Sequence, residues 1–234
     1  MGQRIPNKQQ YGKPRQHSTL NSSNSGWLIK SIAGIFASAL RLLFRSWRVT
    51  FIDRYHINSA FQNLNHRPVI AVFWHGTYVP LFAALRGING CVFTSDSFRG
   101  RVIQQVCSSF GYTCSVLPRS PQTAIAVMEQ AISQYRIVAL AADGPLGPYH
   151  VVKKSVVELA TRTAADILPI AIASHFHIIP RSRWDRFTIP YPFSRVCIVF
   201  GEPVDHNIFA NNRADCELVY QALQQSSRRA DEII

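Results

Sequence analysis

The chain has 234 residues, enough for one domain with a substantial core. Hydrophobic residues make up 47% of it and charged residues 16%, a composition that excludes a largely disordered chain. Its 25 basic and 13 acidic residues give a net charge of +12, which indicates a polyanionic partner such as nucleic acid, anionic lipid or a phosphorylated substrate. The five cysteines are scattered and form no Cys-x-x-Cys pair, which argues against a disulfide framework or a zinc site.

Residues 1–26 are polar and basic and lack apolar periodicity, so we predict a flexible basic tail. Residues 27–48 carry apolar side chains at helical spacings, with a tryptophan near each end. Ten residues separate Lys30 from Arg41, whereas a bilayer span needs about twenty apolar ones. We therefore predict an amphipathic helix on an anionic membrane surface. An ordinary core helix is the alternative, and the absence of acids before Asp53 also permits a transit peptide.

From Val49 onward, apolar strand-like runs alternate with helix-like segments. The predicted strands are Val49–Ile52, Val69–Trp74, Cys91–Thr94, Thr113–Leu117, Ile137–Ala142, Ile167–Ser174, Arg186–Ile189 and Val196–Gly201. The predicted helices are Tyr78–Leu85, Gly100–Phe110, Gln122–Tyr135, Ser155–Ala165 and Asn212–Arg229. This alternation predicts a single α/β domain over 49–234, with a mostly parallel central sheet and helices on both faces.

Three polar clusters follow predicted strands, at Trp74–Gly76, Thr94–Gly100 and Ala142–Pro148. The carboxyl ends of parallel strands face one crevice, so these clusters can converge. His75 is the candidate general base because imidazole titrates near neutral pH. Asp96 and Asp143 are candidate carboxylates for the same site. Each cluster also has a structural interpretation: a core histidine, a helix cap or a turn.

His175 and His177 alternate along a predicted strand, so their side chains share one face. A metal site requires further ligands, and the sequence around this pair offers no third. We therefore predict no metal site.

The order and spacing of four motifs are similar to those of the lysophospholipid acyltransferase superfamily. The resemblance is strongest to a bacterial branch defined as a domain of unknown function, and it extends over roughly Leu40 to Val204. The motifs are Phe73-Trp74-His75-Gly76, Ala142-Asp143-Gly144-Pro145-Leu146-Gly147-Pro148, Ile167-Leu168-Pro169-Ile170, and Trp184-Asp185-Arg186-Phe187 continuing through Pro192-Phe193-Ser194-Arg195 to Gly201-Glu202-Pro203.

The chain departs from the superfamily at two positions. The superfamily places an aspartate five residues after its histidine, where this chain has Pro80. Its Pro-Glu-Gly-Thr-Arg motif is matched by Ala142-Asp143-Gly144-Pro145-Leu146, which keeps a carboxylate but lacks the phosphate-binding arginine. His75 therefore needs another carboxylate, and we prefer Asp143 over Asp96.

The resemblance implies acyl transfer from a thioester to a hydroxyl of a lysophospholipid or other lipid acceptor, with His75 as general base. No cofactor is expected to be bound, and acyl-CoA or acyl-ACP is the co-substrate. The residues predicted to bind substrate are Gly76 and Gly144, through backbone N–H groups at the oxyanion, the adjacent Pro145, and the cations Arg99, Arg119, Lys153 and Lys154.

The expected partners are an anionic membrane surface, the lipid acceptor and, for an acyl-ACP donor, an acyl carrier protein. The expected location is the cytoplasmic face of the inner membrane, with the protein peripheral or monotopic. Nucleic acid is not an expected partner, because no aromatic-basic RNA motif or helix-turn-helix is present. The alternative function is a catalytically degenerate lipid-binding protein on the same fold.

Overall fold

A seven-stranded sheet forms the centre of the computed structural model, which describes residues 22–62, 67–84, 90–180, 182–211 and 216–234. The strands of this sheet are β1 (Arg48–Ile52), β2 (Val69–Phe73), β3 (Cys91–Ser95), β4 (Thr113–Leu117), β5 (Ile137–Ala141), β6 (Asp166–Ser174) and β9 (Arg195–Phe200). A separate antiparallel ribbon pairs β7 (His177–Ile178) with β8 (Ile189–Pro190).

The strand order in the sheet is β1-β9-β6-β2-β5-β3-β4. Strands β6, β2, β5, β3 and β4 are parallel to one another. β9 is antiparallel to β6 and parallel to β1, so the mostly parallel sheet is confirmed with two reversed strands. The carboxyl ends of the five parallel strands meet at one edge, called here the carboxyl edge, and the amino ends of β1 and β9 lie there too.

The described residues form eight α-helices and one 3₁₀ turn (His75–Thr77). The helices are α1 (Ser22–Ser46), α2 (Tyr55–Gln62), α3 (Tyr78–Ala84), α4 (Phe98–Ser109), α5 (Pro121–Tyr135), α6 (Lys154–Thr163), α7 (His206–Asn211) and α8 (Cys216–Ile233).

Helices cover both faces of the sheet, as predicted. On one face, buried residues of α1, α3 and α4 pack together with the sheet. On the other face the apolar core comes from α5, α6, α7 and α8. β2 contributes to both cores, Val69 and Ala71 to the first, and Ile70 and Val72 to the second. This burial on two faces explains why β2 is continuously apolar instead of alternating.

Several predicted boundaries differ from the structure. α1 begins at Ser22, inside the predicted tail, and residues 1–21 of that tail lie outside the described residues. The predicted strand over Arg186–Ile189 is wrong except at its last residue, because this stretch is mostly irregular and joins the short β8. The short helices α2 and α7 were not predicted. Residues 212–215, the predicted start of the last helix, lie outside the described residues.

The helix α1 combines a buried face with an exposed apolar one. Ile29, Ala33, Ala37 and Leu40 are buried against the domain. The outer apolar side chains are exposed, namely Trp27, Leu28, Ile32, Ile35, Phe36 and Leu42. An 18-residue window within Trp27–Ser46 has a mean hydropathy of 1.6, so length and composition also permit a membrane span, against the spacing argument from Lys30 and Arg41. The packing and the exposed apolar face are together weakly compatible with membrane association.

Candidate active site

His75 lies at the carboxyl edge, where β2 ends and the 3₁₀ turn leads into α3. β2 occupies the middle of the sheet, between β6 and β5. The backbone pairing with β5 continues beyond the strands, since Ala142 N–H donates to Phe73 O at 2.8 Å. Residues that follow β2 and β5 are therefore adjacent, which brings two of the three predicted polar clusters together.

Asp143 holds the loops around His75 through backbone contacts. Its Oδ1 accepts the His75 N–H at 2.8 Å, and its Oδ2 accepts the His150 N–H at 3.4 Å. The residue is fully buried. Burial raises the pKa of Asp143 above its ordinary value, although the two N–H donors favour the carboxylate. Asp143 thus fixes the His75 main chain and does not orient its ring.

The carboxylate at the His75 ring belongs to Asp185. Its Oδ2 lies 2.8 Å from His75 Nδ1, and the Asp185 side chain is fully buried. The prediction that Asp143 or Asp96 supplies this carboxylate is therefore wrong. Asp96 is mostly exposed and lies 3.5 Å from Arg101 in an ion pair. The following helix, α4, is capped by Ser97, whose Oγ accepts the Gly100 N–H at 3.0 Å.

Arg183 extends the series of hydrogen bonds behind His75, and we call the series Arg183–Asp185–His75 the relay. Its Nε donates to Asp185 Oδ1 at 2.9 Å, and its Nη2 donates to Oδ2 at 2.6 Å. Burial alone would raise the pKa of Asp185, but the hydrogen bonds from Arg183 and His75 outweigh it and hold the pKa at about 2. Asp185 is therefore ionised at neutral pH and acts purely as an acceptor.

This ionisation determines the tautomer of His75. An ionised carboxylate cannot donate, so Nδ1 of His75 must carry the proton that bridges to Asp185. In the neutral ring Nε2 then has a free lone pair, and no described residue forms a hydrogen bond with it. The His75 side chain is 23% exposed, so the ring is partly open to solvent. An imidazole held in this orientation has the geometry that general-base chemistry requires.

Two glycines let the segment carrying Asp185 approach closely. A Cβ on Gly76 would lie 2.1 Å from the carbonyl oxygen of Asp185. A Cβ on Gly147 would lie 2.6 Å from the Trp184 ring, and Gly147 also has a φ of +69°. Thr188 N–H donates to Gly76 O at 2.8 Å, which joins the two stretches further. These contacts place Asp185 beside His75 although no regular element supports it.

Aromatic rings surround His75. The rings of Trp184 and Tyr78 each lie 5.5 Å from the His75 ring, centroid to centroid. His150 is stacked between Trp74 and Tyr149, at 4.1 and 3.8 Å. Burial, together with the nearby Arg186, lowers the pKa of His150 to about 4, so this imidazole is neutral at cellular pH.

The predicted substrate-binding cations lie at different distances from His75. Lys153 is half-buried, and its Nζ donates to Gly147 O beside the site. Lys154 is exposed at the start of α6. Arg99 and Arg119 are exposed and follow β3 and β4, which are two and three strands from β2. At a strand spacing of about 4.8 Å, these two positions are roughly 10 and 14 Å away across the sheet.

The predicted backbone donors are not equivalent. The Gly144 N–H donates to Ala141 O at 3.1 Å within a turn, so it is already engaged. The Gly76 N–H follows His75 directly and stays the better candidate for an oxyanion. Pro145 and Leu146 are exposed at the tip of the loop.

A group of possible metal ligands lies at the opposite edge of the sheet. Asp166, Asp205 and His206 have ligand atoms within 4.8 Å of one another. The Arg67 guanidinium lies 3.2 Å from Asp205 Oδ1 and 2.8 Å from His206 Nδ1, so a cation already occupies this cluster. His177, one of the pair considered in the sequence, has its Nδ1 3.2 Å from Ser174 Oγ.

Sequence reasoning missed Asp185 and Arg183 as site residues. Asp185 belongs to a quoted motif, but the motif gave it no role. One signal was available: between Asp166 and Glu202, Asp185 is the sole acidic residue, and arginines lie two positions before it and one after it. A single carboxylate in an otherwise acid-free, basic stretch indicates a side chain that forms an ion pair or a hydrogen bond.

No family model matches the sequence. An uncharacterised protein of Rickettsia prowazekii (strain Madrid E) is 27% identical over 188 residues, which cover 77% of this chain and 84% of that protein. Among solved structures, the 1-acyl-sn-glycerophosphate (LPA) acyltransferase PlsC from Thermotoga maritima is similar, with a TM-score of 0.55 and 16% identity over 92% of this chain and 84% of that one. The chain therefore has the α/β fold of this acyltransferase.

Proposed function

We propose that the protein is an O-acyltransferase that moves a fatty acyl group from a thioester to a hydroxyl of a lipid acceptor. The observation that carries this proposal is the relay from Arg183 through Asp185 to His75. It lies at the carboxyl edge of the sheet, where open α/β folds bind their ligands. The fold shared with PlsC supports this class of reaction.

The reaction begins with neutral His75. Its Nε2 takes the proton of the acceptor hydroxyl while the oxygen attacks the carbonyl carbon of the thioester. Asp185 stabilises the imidazolium that forms, and Arg183 keeps Asp185 ionised. When the C–S bond breaks, the imidazolium returns its proton to the departing thiolate. The products are the acylated acceptor and the free thiol, and His75 is regenerated.

The oxyanion of the tetrahedral intermediate needs a donor close to the base. We assign this role to the Gly76 N–H, since the Gly144 N–H is used within its turn. A preorganised donor of this kind contributes about 10²–10³-fold in rate. The acceptor is a lysophospholipid or another lipid with a free hydroxyl, and the donor is acyl-CoA or acyl-ACP, with an acyl carrier protein as partner in the second case.

The cations around His75 are suited to an anionic acceptor. Lys153 lies beside the loop of Gly144 and Gly147, and Arg183 and Arg186 flank Asp185. We assign the binding of a phosphate or other anionic headgroup to these three before Lys154, Arg99 and Arg119, which are exposed or further away across the sheet.

The substrate of such an enzyme stays in the bilayer, so the protein must bind to a membrane. The exposed apolar face of α1 and its basic residues fit an anionic leaflet. We place the protein on the cytoplasmic face of the inner membrane, where thioester donors are made.

The test is acyl transfer by the purified protein, with radiolabelled acyl-CoA or acyl-ACP and lysophospholipids as acceptors. We expect His75→Ala to lower the rate by about 10²–10⁴-fold, the usual contribution of a general base. A His75→Ala protein as active as wild type would refute the assignment.

The alternative, a degenerate lipid-binding protein, predicted a histidine without a carboxylate. The contact between His75 and Asp185 removes that argument. Lipid binding without turnover, in wild type and His75→Ala alike, is the result that would favour this alternative.

A further inference from the structure

Five exposed apolar side chains cluster around the β7–β8 ribbon. We call them the hairpin surface: Phe176, Ile178, Ile179, Tyr191 and Phe193. Phe193 is 77% exposed and Phe176 is 61% exposed, although both are large aromatic residues. Large exposed apolar groups that lie together mark an interaction site more often than scattered ones do.

The ribbon has two faces with different surroundings. Ile178 pairs with Ile189, and Tyr191 N–H donates to Phe176 O at 3.0 Å, so Phe176, Ile178 and Tyr191 share one face. On the other side His177 lines a cavity of about 190 Å³ together with Thr77 and Asp231, among others. Thr77 belongs to the turn that begins at His75. The hairpin surface therefore covers a cavity that reaches the active-site turn.

The hairpin surface is joined to the end of α1. Trp47 Nε1–H donates to Tyr191 O at 3.1 Å, and the Phe193 N–H donates to Ser46 Oγ at 3.2 Å. The apolar face of α1 and the hairpin surface thus belong to neighbouring elements held by direct hydrogen bonds.

Most of the charged residues in these two segments are basic, although an exposed acid of α8, Asp231, lines the cavity together with His177. No acidic residue precedes Asp53, and Asp185 is the sole acid between Asp166 and Glu202 and is buried. Arg45 in the last turn of α1 and Arg48 at the start of β1 are exposed. An exposed apolar surface next to mostly basic segments complements an anionic bilayer, because the basic side chains attract the lipid headgroups.

We propose that the hairpin surface is a second membrane-docking element, which inserts Phe176 and Phe193 into an anionic leaflet and sets the His75 site at the lipid surface. The inference rests on the proposed function for its purpose. The binding of the hairpin surface to a membrane is independent of that function, because it depends on the exposure of the side chains, on the charges and on the connection to α1.

The test is co-sedimentation of the full-length protein with vesicles of phosphatidylcholine, with and without phosphatidylglycerol. We expect the double variant Phe176→Ser/Phe193→Ser to weaken binding to the anionic vesicles by about tenfold or more, since affinity scales with the apolar area inserted. Both side chains are exposed, so thermal unfolding should match wild type. The matched control is Ile208→Ser, an exposed apolar residue of α7 on the opposite edge, which should bind as wild type does.

Vesicle binding is measured without acyl transfer, so its failure is distinguishable from a failure of the proposed function. Equal binding of the double variant and wild type would overturn the inference. So would equal binding of wild type to vesicles with and without phosphatidylglycerol. Size-exclusion chromatography provides the remaining check: a dimer that dissociates in the double variant would assign the surface to a second copy of the chain instead.

Discussion

Asp185 and His75 form a hydrogen bond of 2.8 Å across a separation of 110 residues. The carboxylate comes from an irregular segment and the imidazole from the end of a central strand. The superfamily that the sequence resembles pairs its histidine with an aspartate five residues on, whereas here the carboxylate that contacts the histidine comes from much further along the chain in the same direction.

We expect Asp185→Asn to lower the turnover number by about 10²–10⁴-fold. An amide can donate to Nδ1, which favours the tautomer with a proton on Nε2 and so removes the base. Steady-state acyl transfer measures the loss. The matched control is Asp96→Asn, which changes an exposed carboxylate paired with Arg101 and should keep the rate within about twofold. Equal losses in both variants would contradict this assignment.

Acid should release the stabilisation that Asp185 provides. Its pKa is about 2 in the folded protein, against an ordinary 3.8. The unfolded chain therefore binds the proton first, so the stabilisation is complete above about pH 4 and is lost as the pH falls towards 2. At neutral pH, Asp185→Asn should cost about 1–3 kcal/mol in unfolding free energy, because Arg183 loses its charged acceptor.

Urea unfolding at a series of pH values measures this difference. The gap between wild type and Asp185→Asn should narrow below about pH 4. A gap that stays constant down to pH 2 would show that the carboxylate is not linked to folding in this way.

Gly76→Ala should disrupt both stability and activity. The added Cβ would lie 2.1 Å from the backbone oxygen of Asp185, so the segment must move away from His75. We expect a loss of about 1–3 kcal/mol in unfolding free energy, the usual cost of overpacking, together with a large loss of acyl transfer. Thermal unfolding and the transfer assay measure these two effects.

Gly34→Ala is the control for the glycine substitution. Nothing lies within 4 Å of a Cβ at Gly34, which sits inside α1. Alanine at an unobstructed helical position should stabilise by about 0.5–1 kcal/mol. A Gly76→Ala protein as stable and active as wild type would mean that the 185–186 segment does not need this close approach.

His150 should make stability depend on pH in a different range. Its pKa is lowered from an ordinary 6.5 to about 4, so between these values the unfolded chain binds a proton that the folded chain does not. Unfolding free energy should therefore fall as the pH drops from about 6.5 to 4. His150→Gln should lack this pH dependence. The unfolding free energies of wild type and His150→Gln, measured over this pH range, give the contribution of His150 as their difference.

Local patterns were sufficient to predict most of the fold. β2 is a run of five apolar residues buried on two faces, and α5 spaces its apolar residues for one buried side. Such elements are determined by neighbouring residues in the sequence, and the carboxyl edge follows from their alternation. His75 and Asp143 both lie at that edge, so the same reasoning could predict that they are close together.

The partner of His75 was not predictable in this way. Asp185 lies where it does because Gly76 and Gly147 admit its segment, and both contacts are tertiary. The residues around Asp185 have no hydrophobic period that would reveal their place. The residues Arg186–Ile189 favour a strand by composition, but these contacts and the hydrogen bond from Thr188 to Gly76 hold most of the stretch in an irregular conformation.

The order of synthesis gives the distant pair a further consequence. As the chain leaves the ribosome, His75 appears long before Asp185, and β9, which closes the sheet beyond β6, appears later still. In a nascent chain that ends before Asp185, the imidazole of His75 has no carboxylate behind it. Under the proposed function, a chain interrupted before Asp185 therefore lacks the carboxylate that orients its base, and activity requires the segment around Asp185 to be made and folded.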